Sequence, residues 1–436
     1  MQEAGFRGPT LAELTRVFAR IGCLSFGGPA GQIALMQREL VDERAWVDQG
    51  AFLRALNLCH LLPGPEAQQL ATWIGWRLHG SRGGLIAGLL FVLPGAAIML
   101  ALSLLYVAAA GLSWFAALFL GIKAAVLAVV LQALLRVGKR ALGTQFKLVL
   151  AVVAALSLTL LHTPFPLVIL CAGLIGAAAA QLAPEWLGKH HAVATGAPLA
   201  PPSQLFGMTV RTVAVWLMIW ALPLAAVFLL LGPQHVLWQI GLFFSRLAVV
   251  TFGGAYAVLA YMAQAAVSGF GWLSPGEMAD GLGLAETTPG PLIMVTQFVG
   301  FIAAWRHPGS LSPLTAGLLG AGLTTWVTFA PCFLWIFACA PWMERLERAE
   351  RLQGALAAIT AAVVGVIANL ALWFALHVLF RRVSEAGMPD PGSLDWRAAL
   401  IAALAALLLF GFKRGIAMTM AVCAATGLAL SLAPLG

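Results

Sequence analysis

Residues 285–295 read AETTPGPLIMV, and residues 59–68 read CHLLPGPEAQ. Each phrase sets Pro-Gly-Pro between apolar runs, with an ionisable residue just ahead of it. A proline inside a helix removes a backbone hydrogen bond and clashes with the preceding turn, so both phrases break a helix. The surroundings make those breaks costly. Of 436 residues, 61% are hydrophobic and 10% charged, against about 25% charged in soluble domains. Stretches 83–122, 148–184, 212–245 and 308–343 hold no Asp, Glu, Lys or Arg. About 20 apolar residues cross the hydrocarbon core as a helix, so the chain reads as an all-α polytopic membrane protein.

The two phrases belong to a longer repeat. Phe26-Gly27-Gly28 recurs as Phe252-Gly253-Gly254, Trp46 as Trp272, and Pro63-Gly64-Pro65 as Pro289-Gly290-Pro291, each 226 positions on. Past an insertion near 307–313 the offset becomes 237. Pro94 then matches Pro331, and GIKAAVLAVVLQAL (121–134) aligns with AITAAVVGVIANLA (358–371). Matches held in register over so long a stretch indicate a duplication. A first repeat covers 1–184, a linker plus an unpaired helix covers 185–234, and a second repeat covers 235–436. The linker is the Pro-rich stretch 185–206, and the unpaired helix is 208–231.

Loop charge sets the orientation of the halves. Loop 36–56 carries Arg38, Arg44 and Arg54, while its counterpart 262–282 has no basic residue. Further on, 107–113 is uncharged and 342–351 carries Arg345, Arg348 and Arg351. By the positive-inside rule the halves face opposite ways, although Arg381 and Arg382 fall on the outer side. Inverted-topology repeats are a recurrent plan of secondary transporters. Pieces 10–26, 30–43, 48–62 and 65–78 are too short to span untilted. They are expected to be discontinuous or re-entrant helices, broken at the FGG and PGP motifs. Run 343–353 (MERLERAERLQ) places Glu344 with Arg348 and Glu347 with Arg351 at i,i+4, the spacing of a solvated helix.

The breaks are candidate binding elements. A helix that restarts after a break presents N–H groups with no internal partner and a partial positive charge, a ready anion site. Glycine lets a ligand approach the backbone closely. Four breaks in register, if they converge, make a buried site for a small oxyanion; the bland alternative is that they only kink helices for packing. The candidate substrate-binding residues are Ser25, Phe26, Gly27 and Gly28; Pro63, Gly64, Pro65 and Gln68; Thr251, Gly253 and Gly254; and Thr287, Thr288, Pro289, Gly290, Pro291 and Gln297. Glu286 and His60 occupy equivalent positions and are candidate proton-coupling groups, since burial disfavours the charged form of each. An ionisable residue at membrane depth is a functional candidate by default. A neutral acid bonded to a backbone carbonyl would also explain Glu286, and a satisfied core histidine would explain His60. Lys123, deep in LFLGIKAAV, can attract an anion, snorkel, or pair with a carboxylate.

Other classes find little support. Net charge is +8, which the bias of cytoplasmic loops explains, and no basic run interleaves with aromatics, so no nucleic-acid partner is expected. The six cysteines show no CxxC or metal spacing, so no metal or cofactor is expected. No GxxxxGK[ST] motif is present, which argues against ATP hydrolysis.

The stretches SFGGPAGQIALM (25–36), LLPGPEAQQLATWIGWRLHG (61–80), TFGGAYAVLAYM (251–262) and TTPGPLIMVTQFVGF (287–301) together resemble the chromate ion transporter (CHR) family, in its long two-domain form. The second FGG departs from the first, with Ala255 where the first has Pro29. The resemblance implies a multi-pass inner-membrane carrier that exports chromate, with sulfate as a similar oxyanion, and homologous halves of opposite orientation. The expected function is therefore secondary active oxyanion efflux by alternating access, coupled to protons or a counter-ion, and no enzymatic activity. A passive anion channel and an intramembrane enzyme acting on lipid phosphates are the alternatives. The expected partners are the oxyanion and the lipid bilayer, and a homodimer is left open.

Overall fold

The computed structural model describes residues 8–109, 111–188, 202–252, 255–384 and 388–432. Helix α1 (Leu11–Leu24) opens on a capping box. Thr10 Oγ1 accepts the Glu13 N–H, and the Glu13 carboxylate accepts the Thr10 N–H, meeting two of the donors a helix start leaves over. After the FGG break α2 (Gly28–Gln37) begins and runs into a π turn at Arg38–Asp42. Helix α3 (Gln49–Leu61), capped by Asp48, leads to the first PGP break, and α4 (Glu66–Ala109) follows it. His79 and Gly80 are non-helical inside α4, so it is two pieces, and the second folds back so that Gly83 meets the Gly75 carbonyl. His79 Nε2 holds this turn to the Pro9 carbonyl at 2.7 Å.

The first half ends with α5 (Ser113–Ala141), α6 (Gln145–Leu160) and α7 (Phe165–Leu182), and α8 (Pro202–Leu231) stands between the halves. The second half repeats the pattern. Helices α9 (Val236–Val250) and α10 (Ala255–Gln264) flank the second FGG, and α11 (Pro275–Thr287) and α12 (Val295–Arg306) flank the second PGP. Helices α13 (Pro313–Cys339), α14 (Met343–Glu347), α15 (Glu350–Leu379), α16 (Trp396–Ala406) and α17 (Ile416–Leu432) complete it. Among the described residues the only β pairing is two isolated bridges, Phe380 with Leu394 and Val383 with Pro389. Six described helices are long and apolar enough to cross a membrane: α4, α5, α7, α8, α13 and α15. The short pieces expected around the breaks are indeed short. Fourteen residues in α1 rise about 21 Å, well under the roughly 30 Å hydrocarbon core.

The two halves interlock. Helix α15 packs on α5, α6 and α7, while α16 and α17 pack on α5. One apolar core therefore draws Phe119 and Val126 from the first half together with Phe298 and Ile367 from the second. Small residues let these helices approach closely, as in other membrane bundles. Gly121 and Gly427 meet at the α5–α17 crossing, and Gly365 of α15 lies on the Ala151 carbonyl of α6. Helix α8 is peripheral, with Leu222, Leu229 and Leu230 exposed.

Two expectations need comment. Run 343–353 does not form one helix. Helix α14 ends at Glu347 and α15 starts at Glu350, with Ala349 non-helical, because the chain must turn here to bring α15 back against α7. The centre of the expected linker, residues 189–201, lies outside the described residues, and its first part forms a 3-10 turn at Pro184–Leu187.

A side chain at the α5–α17 crossing has no room: a Cβ on Gly121 would meet the Cys423 backbone. Gly121→Val is expected to destabilise the folded protein by about 1–3 kcal/mol, measured as a lower midpoint in thermal unfolding of the detergent-solubilised protein.

Candidate functional site

The four breaks meet in two crossed pairs. The Gly64 N–H donates to the Thr251 carbonyl at 2.8 Å, and the Gly290 N–H donates to the Ser25 carbonyl at 2.9 Å. Ser25 and Thr251 are equivalent under the 226 offset, as are Gly64 and Gly290. The same bond is thus made twice, each half's PGP glycine reaching the residue ahead of the other half's FGG. Such reciprocal contacts are the mark of a two-fold relation between like surfaces. Both glycines need their residue type: φ is +122° at Gly64 and +96° at Gly290, a region side chains rarely enter. Their neighbours correspond as well. Gly64 lies against Cys332 Sγ, and Gly290 against Gly95, positions related by the 237 offset.

Amide side chains tie these breaks down further. Gln32 Nε2 donates to the Gly290 carbonyl at 2.5 Å and lies 3.4 Å from the Ser25 carbonyl. Gln69 Nε2 donates to the Pro63 carbonyl at 2.7 Å. Gln297 Nε2 donates to Ala96 O at 2.9 Å, while its Oε1 accepts from Thr325, linking α12 to α4 and α13. Gln68 Nε2 reaches Thr72 Oγ1. The Oε1 atoms of Gln32, Gln68 and Gln69 are buried with no hydrogen-bond partner. Buried polar atoms are almost always paired, so three unpaired acceptors beside the breaks are uncommon.

The hydroxyls expected to face an anion are otherwise engaged. Ser25 donates to Ile21 O, Thr251 to Leu247 O, and Thr287 and Thr288 both to Leu284 O. Each is a bond back to the preceding turn. Backbone is more available. Gly27 and Gly28 have φ of +86° and +69°, and a Cβ built on either would touch nothing within 4 Å. The α2 tip is therefore open, and Phe26 beside it is 46% exposed. Pro65 caps the start of α4 through its carbonyl, and Pro291 does so for the turn into α12. Pro289 lies on Gly95. Gly253 and Gly254 lie outside the described residues.

The ionisable candidates separate. Glu286 is buried, and its Oε1 accepts from the Tyr256 hydroxyl at 2.8 Å. Its partner is thus a hydroxyl on α10, not a backbone carbonyl. His60, its equivalent, is exposed in the last turn of α3, so it is no core histidine. Lys123 pairs with Asp280 at 3.3 Å. Sequence reasoning missed Gln32, Gln69, Tyr256 and Asp280. The rule that flagged Glu286, an ionisable residue in a helix placed at membrane depth, applies equally to Asp280 two turns earlier. Gln32 and Tyr256 carried no signal, because only the fold brings them to distant backbone and side-chain groups.

The family model described as Chromate transporter matches residues 12–177 and again residues 238–428, one match in each half. The chain is 34% identical to a chromate transport protein of Pseudomonas aeruginosa over 80% of its own length and 77% of the relative's. It is 30% identical to a probable chromate transport protein of Synechococcus elongatus over 83% of each chain. It is 28% identical to a chromate transport protein of Cupriavidus metallidurans over 93% of its length and 89% of the relative's. No solved structure matches it.

Gln32 supplies the side-chain donor at the Gly290–Ser25 junction and is 1% exposed. Gln32→Leu is expected to cost about 1–3 kcal/mol by leaving a buried carbonyl short of a donor. Gln49→Leu, at an exposed position, is expected to stay within about 0.5 kcal/mol of the parent. Thermal unfolding of the two variants side by side checks this.

Proposed function

This chain belongs to the chromate transporter family, and from that premise we propose that it is a secondary active carrier that exports chromate and sulfate-like divalent oxyanions across the inner membrane. The observation that carries the reading is the crossed pair of backbone hydrogen bonds, Gly64 to Thr251 and Gly290 to Ser25. It joins a helix break of each half to a break of the other, twice, and a substrate site at a repeat interface draws on such cross-half contacts.

A divalent oxyanion needs donors and positive potential without a fixed cage of cations. The open α2 tip offers both, through unpaired N–H groups and the positive end of the helix dipole. Gly27 and Gly28 present bare backbone there. The PGP breaks serve a different role in this conformation. Their glycine N–H groups hold the halves together, so Gly64 and Gly290 shape the site and the α2 tip receives the anion. The loop charges and the single unpaired helix α8 support halves of opposite orientation. Alternating access then follows from movement of the broken helices that meet at the crossed bonds.

Glu286 is the proton carrier in this reading. It sits two residues before Thr288 and the PGP break, and Tyr256 on α10 holds it. Movement of α10 against α11 would make or break that hydrogen bond, and with it the partner of the carboxylate. His60, exposed at the equivalent place, takes no part in the same network.

Two measurements test the proposal in proteoliposomes. Purified protein should accumulate labelled chromate, and more weakly sulfate, in response to an imposed pH gradient, with saturating flux. Flux that only dissipates an anion gradient and ignores the pH gradient would make it a passive channel. Glu286→Gln should abolish the response to the pH gradient while leaving anion exchange. An unaltered pH response in that variant removes Glu286 from the coupling step.

A further inference from the structure

The Lys123–Asp280 pair is the charged contact at depth that the reading above leaves unused. Asp280, on α11 of the second half, is 3% exposed. Its Oδ2 accepts from Tyr106 of α4 at 2.8 Å and faces Lys123 Nζ of α5 at 3.3 Å. Both partners come from the first half, so the carboxylate spans the two. Its Oδ1 is buried with no partner. The Lys123 side chain is 27% exposed. The lysine side chain thus lies between a buried carboxylate and accessible space. The other charged groups nearby satisfy each other: Glu277, one turn earlier on α11, pairs with Arg306 of α12. The repeat does not duplicate the cluster, since it places Thr360 opposite Lys123 and Arg54 opposite Asp280.

The geometry points to Lys123 as a contact for the transported divalent oxyanion, and to Asp280 as the internal carboxylate that competes with the anion for it. This rests on the transport reading and deepens it. When no anion is present, Asp280 neutralises Lys123. When a dianion reaches the partly exposed lysine, it draws that charge away and leaves Asp280 buried without its counter-ion. An uncompensated buried charge is costly, and protonation of Asp280 removes it. One proton from solution then enters with each dianion and leaves with it. Tyr106 keeps the carboxyl in place in either state, since its hydroxyl donates to an oxygen of Asp280. Exchange of partners also loosens the ion pair joining α5 to α11, which frees α11 to move relative to α5.

Competition and a purely structural ion pair predict opposite signs. Binding is measured by isothermal titration with sulfate as the probe, because sulfate stays dianionic across the pH series and any proton taken up is the protein's. Asp280→Asn removes the competitor and is expected to bind sulfate about fivefold or more tightly than the parent. Lys123→Met removes the contact and is expected to bind about fivefold or more weakly. The double variant should behave as Lys123→Met. Parent affinity should rise as pH falls, and Asp280→Asn should lose that dependence. If both single variants bind more weakly and the double variant recovers, the pair is structural and the inference is overturned. Unchanged affinity in Asp280→Asn overturns it as well. Should Asp280→Asn not fold, Tyr106→Phe keeps both charges and carries the test: without the tyrosine donor Asp280 leans harder on Lys123, and sulfate must bind more weakly. Unchanged affinity in Tyr106→Phe overturns the inference. A parent protein that moves neither chromate nor sulfate in proteoliposomes overturns the transport reading itself, a separate result from any of these.

Discussion

Inside a bilayer every peptide group must find its partner in the protein, because hydrocarbon offers none. A chain that interrupts helices at depth takes on that constraint at each interruption. Here the PGP glycine of each half donates its N–H to the carbonyl ahead of the FGG of the other half. Neither half can satisfy its own break, so neither can be complete without the other. The interlocked helices follow from this dependence. Helices α15, α16 and α17 lie against first-half helices, and the apolar core is shared.

The halves share a backbone scheme and differ in what they hang on it. Positive φ at Gly64 and Gly290, and the close approach of Cys332 and Gly95 to them, repeat in both. The side chains do not. Gln32 and Gln69 have Val258 and Val295 at the equivalent places, and buried Glu286 stands opposite exposed His60. Lys123 and Asp280 have no counterpart pair. Backbone geometry is therefore symmetric, while polar and ionisable chemistry is concentrated on particular sides.

Much of the fold was legible from residue pattern alone. The FGG and PGP motifs located the breaks to within a residue or two of where α1, α2, α3 and α4 end or begin. The non-helical His79 and Gly80 fall between the expected piece 65–78 and the uncharged stretch that starts at 83. These are local effects: proline cannot continue a helix, and glycine alone accepts the left-handed backbone. The break at Ala349 was missed, because i,i+4 charge spacing supports a helix but does not compel one when the chain must turn. At the site, the glycines and Glu286 were legible as types of residue out of place in hydrocarbon. The engagement of Ser25, Thr251, Thr287 and Thr288 with their own helices was not, since a hydroxyl's partner depends on rotamer and neighbour.

The sequence by itself determined that the chain is a membrane protein, that it is duplicated, and where its helices break. Hydrophobicity, offset and proline chemistry are properties of the chain read along its length. Only the tertiary structure decided which groups meet across the halves: Gly64 with Thr251, Gly290 with Ser25, Tyr256 with Glu286, and Asp280 with Lys123 and Tyr106. These partners are far apart in the chain. What joins them is the need to satisfy buried polar groups in a medium without water, and that need is met in three dimensions.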